Sequence, residues 1–407
     1  AQPNPNIRVM EEIKPVRISR LADGKFILDM GQNMVGWLKI NKLNGKEGQP
    51  VTMRFAEILN PDSTIYLANI RSAKVTDIYT PAKDGPFSWE PSFVYHGFRF
   101  VEISGLDEQP ELSSFTGKVV YDNMETTGQF ETSNDIINQT FKNAYWGIRG
   151  NYRGMPTDCP QRDERQGWTA DTQATGCFGE AFVFNNALLY SKWAQDIEDS
   201  QSPEGSISVV SPRYWTIYND DVTWPAAYFY AAKMLYHQYG DREPIRKHYP
   251  SMKRYLERIQ QVSMQDFILT KDTYGDWCMP PEKQELIHSQ DPSRKTAGAV
   301  LSTTMYYSLL NLMIEFAQLT GNQQDIQGFK ELASRIKEAY NATFFNADSA
   351  KYDNNTVTAN ILSLQLGLVP EGKEQQVFEN IVQKTEVDFD GHVSTGVLGI
   401  QQLMRGL

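Results

Sequence analysis

The hydrophobic period of this chain changes once, near Phe130, and that change limits what it can fold into. Before it, short β-branched or alternating runs recur at residues 16–18, 25–28, 37–40, 51–55, 75–79, 98–103 and 115–120. Turn residues separate them, among them Ala22-Asp23-Gly24, Asn44-Gly45, Asn60-Pro61-Asp62 and Asp84-Gly85-Pro86. A period of two puts alternate side chains on opposite faces. Short strands at this spacing predict an antiparallel β-sandwich rather than βαβ units.

After Phe130 the period is helical. Ser133-Asn134-Asp135 is a cap for a helix reaching about residue 153. Further helices are predicted at about 172–183, 185–200, 222–239, 243–262, 295–320, 323–343, 356–367, 373–384 and 394–406. In the clearest of these, Leu301, Met305, Leu309, Leu312, Phe316 and Leu319 mark one face. Gly240, Gly321 and Gly372 punctuate boundaries. Sequential helical hairpins of this kind close into an (α/α)6 barrel, which needs twelve helices. Ten are predicted, so the barrel is expected to be incomplete at its C-terminal end. The expected domains are a β-sandwich over 1–125 and the helical barrel over 126–407.

The densest polar constellation is DCPQRDERQGWTAD at residues 158–171, in a loop between two predicted helices. Pro156 and Pro160 hold this stretch out of helix. Carboxylates so close together repel when buried, which raises the pKa of at least one. A carboxyl kept protonated near neutral pH can act as a general acid toward a leaving oxygen. Arg162 and Arg165 keep neighbouring carboxylates ionised as acceptors for sugar hydroxyls, and Trp168 offers a flat face to a sugar ring. The competing reading is a solvated charged loop with internal salt bridges, although Pro, Gly and Trp are unusual in one.

Composition removes several other functions. The net charge of −11 comes with no run of five basic residues, which argues against nucleic acid or an anionic membrane as partner. No window approaches about 18 uninterrupted apolar residues, so no membrane span is expected. Three cysteines and five histidines show no metal-ligand spacing, and no glycine-rich phosphate loop occurs, so neither metal nor cofactor is predicted. Cys159 has no histidine within 60 residues on either side and is read as structural rather than nucleophilic.

The run at 158–171 is similar to the signature DCPxRDERxGWxGD of glycoside hydrolase family 78, the bacterial α-L-rhamnosidases, with Ala170 at its usual Gly. GQNMVGW at 31–37 and YHGFRF at 95–100 resemble the family's β-domain motifs. YGDW at 274–277 and STGVLG at 394–399 resemble its GDW and TGxxG segments. The resemblance implies a six-hairpin glycosidase that releases terminal α-L-rhamnose from rhamnosylated glycans or glycosides with inversion. Carried over by position, Glu164 is the general acid. Asp158, Arg162, Asp163 and Asp171 hold the sugar or tune the acid, and Trp168, Trp224 and Trp277 line its pocket.

An inverting enzyme also needs a general base, which in this family is a Glu in a TTxWERW-like segment. No such segment occurs here. The base is therefore expected outside this chain, with Glu282, Glu285 or Asp291 as substitutes. The alternative is a sugar-binding remnant that does not turn over. Rhamnosylated glycans are mostly extracellular, so a periplasmic or secreted location is expected.

Overall fold

A computed structural model describes residues 3–171, 176–283 and 285–406. By contact the chain divides into two units, Ala1–Gly167 with Phe182–Leu189, and Trp168–Ala181 with Tyr190–Leu407.

The first unit is built on one antiparallel sheet of eight strands: β1 (Ile7–Ile13), β2 (Arg17–Arg20), β3 (Phe26–Gly45), β4 (Val51–Ala56), β5 (Thr76–Tyr79), β6 (Gly85–Trp89), β7 (His96–Ser104) and β8 (Phe115–Asp122). The main order is β1-β8-β3-β7-β4-β5, with β2 and β6 also paired to β3. The two runs read at 25–28 and 37–40 are thus one 20-residue strand. It changes partners along its length: Phe26–Asp29 pair with β2 and β7, Gly36–Ile40 with β8, and Ile40–Gly45 with β6. β3 therefore joins four other strands of the sheet, β2, β6, β7 and β8. Its first five residues are buried, as expected for a strand covered on both faces.

Two strands escaped the sequence reading. The polar pattern of β1 suits an edge strand, and Pro86 disguises β6. A proline is tolerated there because β6 pairs with β3 alone. Phe26, Leu38, Met53, Phe55, Phe98, Val101 and Phe115 form the centre of the sheet core.

Two sequence motifs explain themselves in this sheet. Arg99 donates to both oxygens of Asp29, at 2.8 and 3.1 Å, and the Gly31 amide donates to the same carboxylate at 2.8 Å. This fastens the irregular stretch of β3 between Asp29 and Met34. Gly36 has φ 156°, and a Cβ there would lie 1.7 Å from the Lys118 carbonyl oxygen. Only glycine lets β3 and β8 approach so closely.

Helix α1 (Asp135–Gly150) belongs to the same unit. The Asn134 side chain accepts from the amides of Ile136 and Ile137, the cap read from the sequence. Arg149 ties the helix to the sheet: it is 3% exposed, donates to Glu11 at 2.9 Å and lies 3.6 Å from the Trp146 ring centroid.

The other helices with described bounds are α2 (Cys177–Val183), α3 (Ala187–Asp199), α4 (Ala227–Tyr239), α5 (Glu243–Ser263), α6 (Gly298–Thr320), α7 (Gln323–Phe344), α8 (Val357–Gln365), α9 (Glu374–Gln383) and α10 (Val397–Gly406). The start predicted at 172 falls on residues outside those described. Helix α4 begins five residues later than predicted: after left-handed Asp220, residues 223–226 form turns, with the Ala226 amide donating to the Val222 carbonyl at 3.1 Å, before the regular helix starts. Gly240 and Gly321 close α4 and α6 with left-handed φ, as their positions indicated.

Helix α6 is buried almost all round, including Ser302, Thr303 and Thr304. The segment Pro292–Thr320 contains an 18-residue window long and apolar enough, by length and composition alone, to cross a membrane. Since 61% of it is buried against the rest of the protein, it is a core helix that meets the same criterion.

Candidate functional site

In the first unit, residues 156–167 fold into a loop closed on itself. The Gln166 amide donates to Asp158 Oδ1 at 2.6 Å, and the Asp158 amide donates back to the Gln166 carbonyl at 3.0 Å. This two-way link brings Asp158, Arg162, Asp163 and Glu164 together. Arg162 Nε donates to Glu164 Oε2 at 2.9 Å, and its Nη2 lies 3.5 Å from Asp158. Arg71, from the connection between β4 and β5, donates to the same Glu164 oxygen at 3.0 Å. The Glu164 side chain is only 11% exposed. Arg165, with φ 57°, turns the other way: it donates to the Tyr95 carbonyl and stacks over the Tyr95 ring.

The upward shift expected of one carboxyl in this run falls on Asp158, and its main cause is burial rather than charge repulsion. Burial pushes its carboxyl above the ordinary range, with Glu164 adding to the shift. Asp163 moves the opposite way, held below its usual value by hydrogen bonds from the Ser72 hydroxyl and amide. Burial also pushes the Cys159 thiol up to about 12, which fits a structural cysteine. The Cys159 sulfur and the Asp158 and Glu164 oxygens lie within 4.8 Å of one another, a spacing a cation could use. Arg162 and Arg71 already occupy that electrostatic position, and a thiol so hard to ionise is a poor ligand.

The second unit gathers the aromatic residues around Tyr274. Trp224 lies on Tyr274 at 4.4 Å between centroids, while Trp168 and Trp277 meet it edge-on at 5.8 and 6.4 Å. Trp215 meets Trp168 at 6.2 Å. Backbone pairing of Trp168 with Val210 and of Thr169 with Val209 fixes the first tryptophan. Trp277 is 46% exposed, whereas Trp224 is 4% exposed and works from behind Tyr274. Asp171 is exposed, at the last described residue before 172–175. Sequence reasoning did not name Tyr274 or Trp215 as site residues. The clue for Tyr274 was its place in the YGDW motif.

Two further carboxylates lie behind this cluster. Thr223 Oγ1 sits 3.2 Å from both Asp221 Oδ1 and Asp272 Oδ2. One hydroxyl proton cannot satisfy both. Asp221 has no exposed surface, and burial followed by the charge of Asp272 pushes its carboxyl up to about 7. Asp276 of the same motif has a different job. It accepts from Thr358 Oγ1 and from the amides of Gly396, Leu398 and Gly399 at the start of α10. A Cβ on Gly396 would stand 2.2 Å from the Asp276 carbonyl oxygen, so the later glycine motif serves this clamp.

Of the three acids after Trp277, Glu282 accepts from the Ser289 hydroxyl and the amides of Gln290 and Asp291. These bonds lower its carboxyl below the ordinary range and occupy its oxygens. Asp291 caps a short turn through the Ser293 amide, and Glu285 is exposed.

Comparison with known proteins gives these parts a family. Residues 19–121 match the bacterial alpha-L-rhamnosidase concanavalin-like domain, and residues 125–407 match the bacterial alpha-L-rhamnosidase 6 hairpin glycosidase domain. An alpha-L-rhamnosidase of Streptomyces avermitilis is 33% identical over 99% of this chain, which covers 37% of that relative. A structure of alpha-L-rhamnosidase from Dictyoglumus thermophilum matches 99% of the chain at TM-score 0.92 and 36% identity, over 45% of its own length. The crystal structure of the Streptomyces avermitilis alpha-L-rhamnosidase complexed with L-rhamnose matches all of the chain at TM-score 0.92 and 32% identity, over 38% of its own length. The chain thus spans less than half the length of these relatives. With one profile covering the sheet and a second covering everything from residue 125 onward, the chain belongs to the bacterial α-L-rhamnosidase family.

Proposed function

We propose that this chain carries the acid-bearing part of an inverting glycoside hydrolase that releases terminal α-L-rhamnose from rhamnosylated glycans or glycosides. The observation that supports the reading is the DCPQRDERQGW loop itself, which closes on itself and gathers Asp158, Arg162, Asp163 and a Glu164 side chain only 11% exposed into one cluster at the family's signature positions. In this reading Glu164 protonates the glycosidic oxygen as the bond to the anomeric carbon breaks. A water attacks from the opposite face of the ring, activated by a second carboxylate roughly 6.5–9.5 Å from the first. The Glu164 proton ends on the leaving alcohol, the hydroxyl of the water on rhamnose, and the water's remaining proton on the second carboxylate, from which it returns to Glu164 through solvent.

Asp158, Arg162, Asp163 and Asp171 are the proposed partners of the sugar hydroxyls. Trp168 and Trp277 are the proposed stacking faces, with Trp224 supporting Tyr274 behind them. Glu282 is engaged by the Ser289 hydroxyl and by the Gln290 and Asp291 amides, and we place the base outside these 407 residues. A relative solved with L-rhamnose supports the choice of sugar.

The test is rhamnose release from an alkyl α-L-rhamnoside and from 4-nitrophenyl α-L-rhamnoside, by this chain and by a longer chain that includes the family's remaining length. Glu164→Gln is expected to lower turnover of the alkyl substrate by about 10²–10⁴-fold, and less for the activated aryl one. Equal loss on both substrates, or none, refutes Glu164 as the acid. Rhamnose binding without release by the folded longer chain favours a non-catalytic binding protein.

A further inference from the structure

Arg71 faces two ways. Besides holding Glu164 it lines a cleft of about 510 Å³ in the sheet unit, together with Arg54, Lys74, Leu67, Ile70 and Ile78. Three cations around one cleft stand out in a chain of net charge −11. Arg54 and Arg71 reach Glu102 and Glu164 at 3.4 and 3.0 Å, yet their side chains remain 42 and 54% exposed. Lys74 is exposed and pairs with no carboxylate among the described residues.

The backbone that presents these cations is strained. Arg71 has φ 56° and Val75, a buried β-branched residue, has φ 38°. Such conformations are costly and persist only where the surroundings enforce them. Here Ser72 is fastened to Asp163, so the segment is fixed to the acid-bearing loop. The apolar wall adds a surface suited to the C–H face of a sugar ring.

We propose that this cleft receives an anionic sugar residue, bearing a carboxylate or a sulfate ester, to which the rhamnosyl group is attached. The inference rests on the hydrolase reading above and names its substrate class. Lys74 and Arg54 hold the anion, and Leu67 and Ile70 support the ring. Arg71 couples this site to the acid. An anion that draws Arg71 toward the cleft takes one guanidinium from Glu164 Oε2 and leaves Arg162 there. Arg71 is therefore a positioning residue that links substrate charge to the freedom of Glu164.

The experiment is a binding titration of the chain with methyl β-D-glucuronide, methyl β-D-glucoside 6-sulfate and neutral methyl β-D-glucoside, followed by calorimetry or amide NMR. At low salt at least one charged sugar is expected to bind at least about tenfold more tightly than the neutral one, the worth of one charge-assisted hydrogen bond. Added salt erodes that preference, because the cations are exposed. Lys74→Gln reduces it by about threefold or more, and Arg54→Gln does the same. The tighter of the two charged sugars identifies the anion. Equal binding of all three, or an unchanged preference in both variants, overturns the proposal. Binding is read without turnover, so failure of rhamnose release leaves this result standing on its own.

Discussion

Replacing Asp221 with asparagine is expected to stabilise the protein, and to do so more as pH rises. Asp221 is wholly buried, with its carboxyl pushed up to about 7 by burial and by Asp272. In the unfolded chain an ordinary aspartate ionises near 4. Between these values the folded state keeps a proton that the unfolded state has lost, so native stability falls as pH rises from about 4 to about 7 and is flat above. The slope is about 1.4 kcal/mol per pH unit, giving a ceiling of about 4 kcal/mol over roughly three units. Asparagine keeps Oδ1 as the acceptor of the Val222 amide and the Thr223 hydroxyl but cannot ionise. We expect the variant to match wild type near pH 4.5 and to exceed it by about 2 kcal/mol or more at pH 8. The assay is urea unfolding followed by tryptophan fluorescence at a series of pH values, since Trp224 lies three residues away. A difference between variant and wild type that does not change with pH refutes the proton held by Asp221 in the folded state.

Other substitutions separate structural from exposed roles. Asp276→Ala removes the acceptor of three amides and a hydroxyl at the start of α10. It should cost about 3 kcal/mol or more in chemical unfolding. Gly36→Ala puts a methyl group where the Lys118 carbonyl lies. It should abolish soluble expression, or lower the unfolding free energy of the sheet unit by about 3 kcal/mol or more. Trp224→Ala leaves a cavity at a 4% exposed site and should cost about 3–5 kcal/mol. Trp277→Ala, at 46% exposure, should cost less than about 1.5 kcal/mol while weakening rhamnose binding measured by calorimetry.

What the sequence revealed follows from which interactions are local. The change of period at Phe130, the Asn134 cap and the glycine stops at Gly240 and Gly321 depend on neighbours within a turn or two, and all appear where expected. The clustering of Asp158, Arg162, Asp163 and Glu164 was legible because all four fall within the span 158–164. Other features needed distant partners. Arg71 lies 93 residues from Glu164, and nothing in its own surroundings marks it as that residue's second cation. Asp221 and Asp272 meet through Thr223 across 49 residues, and each alone reads as a loop acid or a cap. β3 was read as two strands, at 25–28 and 37–40, because the residues between them carry no alternating or β-branched run. Arg99, contributed by β7, is what keeps that stretch in the sheet.

The Asp276 clamp also bears on the order in which the helical unit assembles. The carboxylate joins residues 120 to 123 positions apart, and the helices α6 to α9 all lie within the span it closes. Closing a flexible loop of that length costs about 4 kcal/mol in chain entropy, much of what four hydrogen bonds return. The contact is therefore favourable only after the intervening helices have formed and shortened the effective loop. Helix α10 docks late, as a seal rather than a nucleus. Once docked, the amides of Leu398 and Gly399 should exchange with solvent only through an opening that also frees the GDW segment, so two stretches remote in sequence lose protection together.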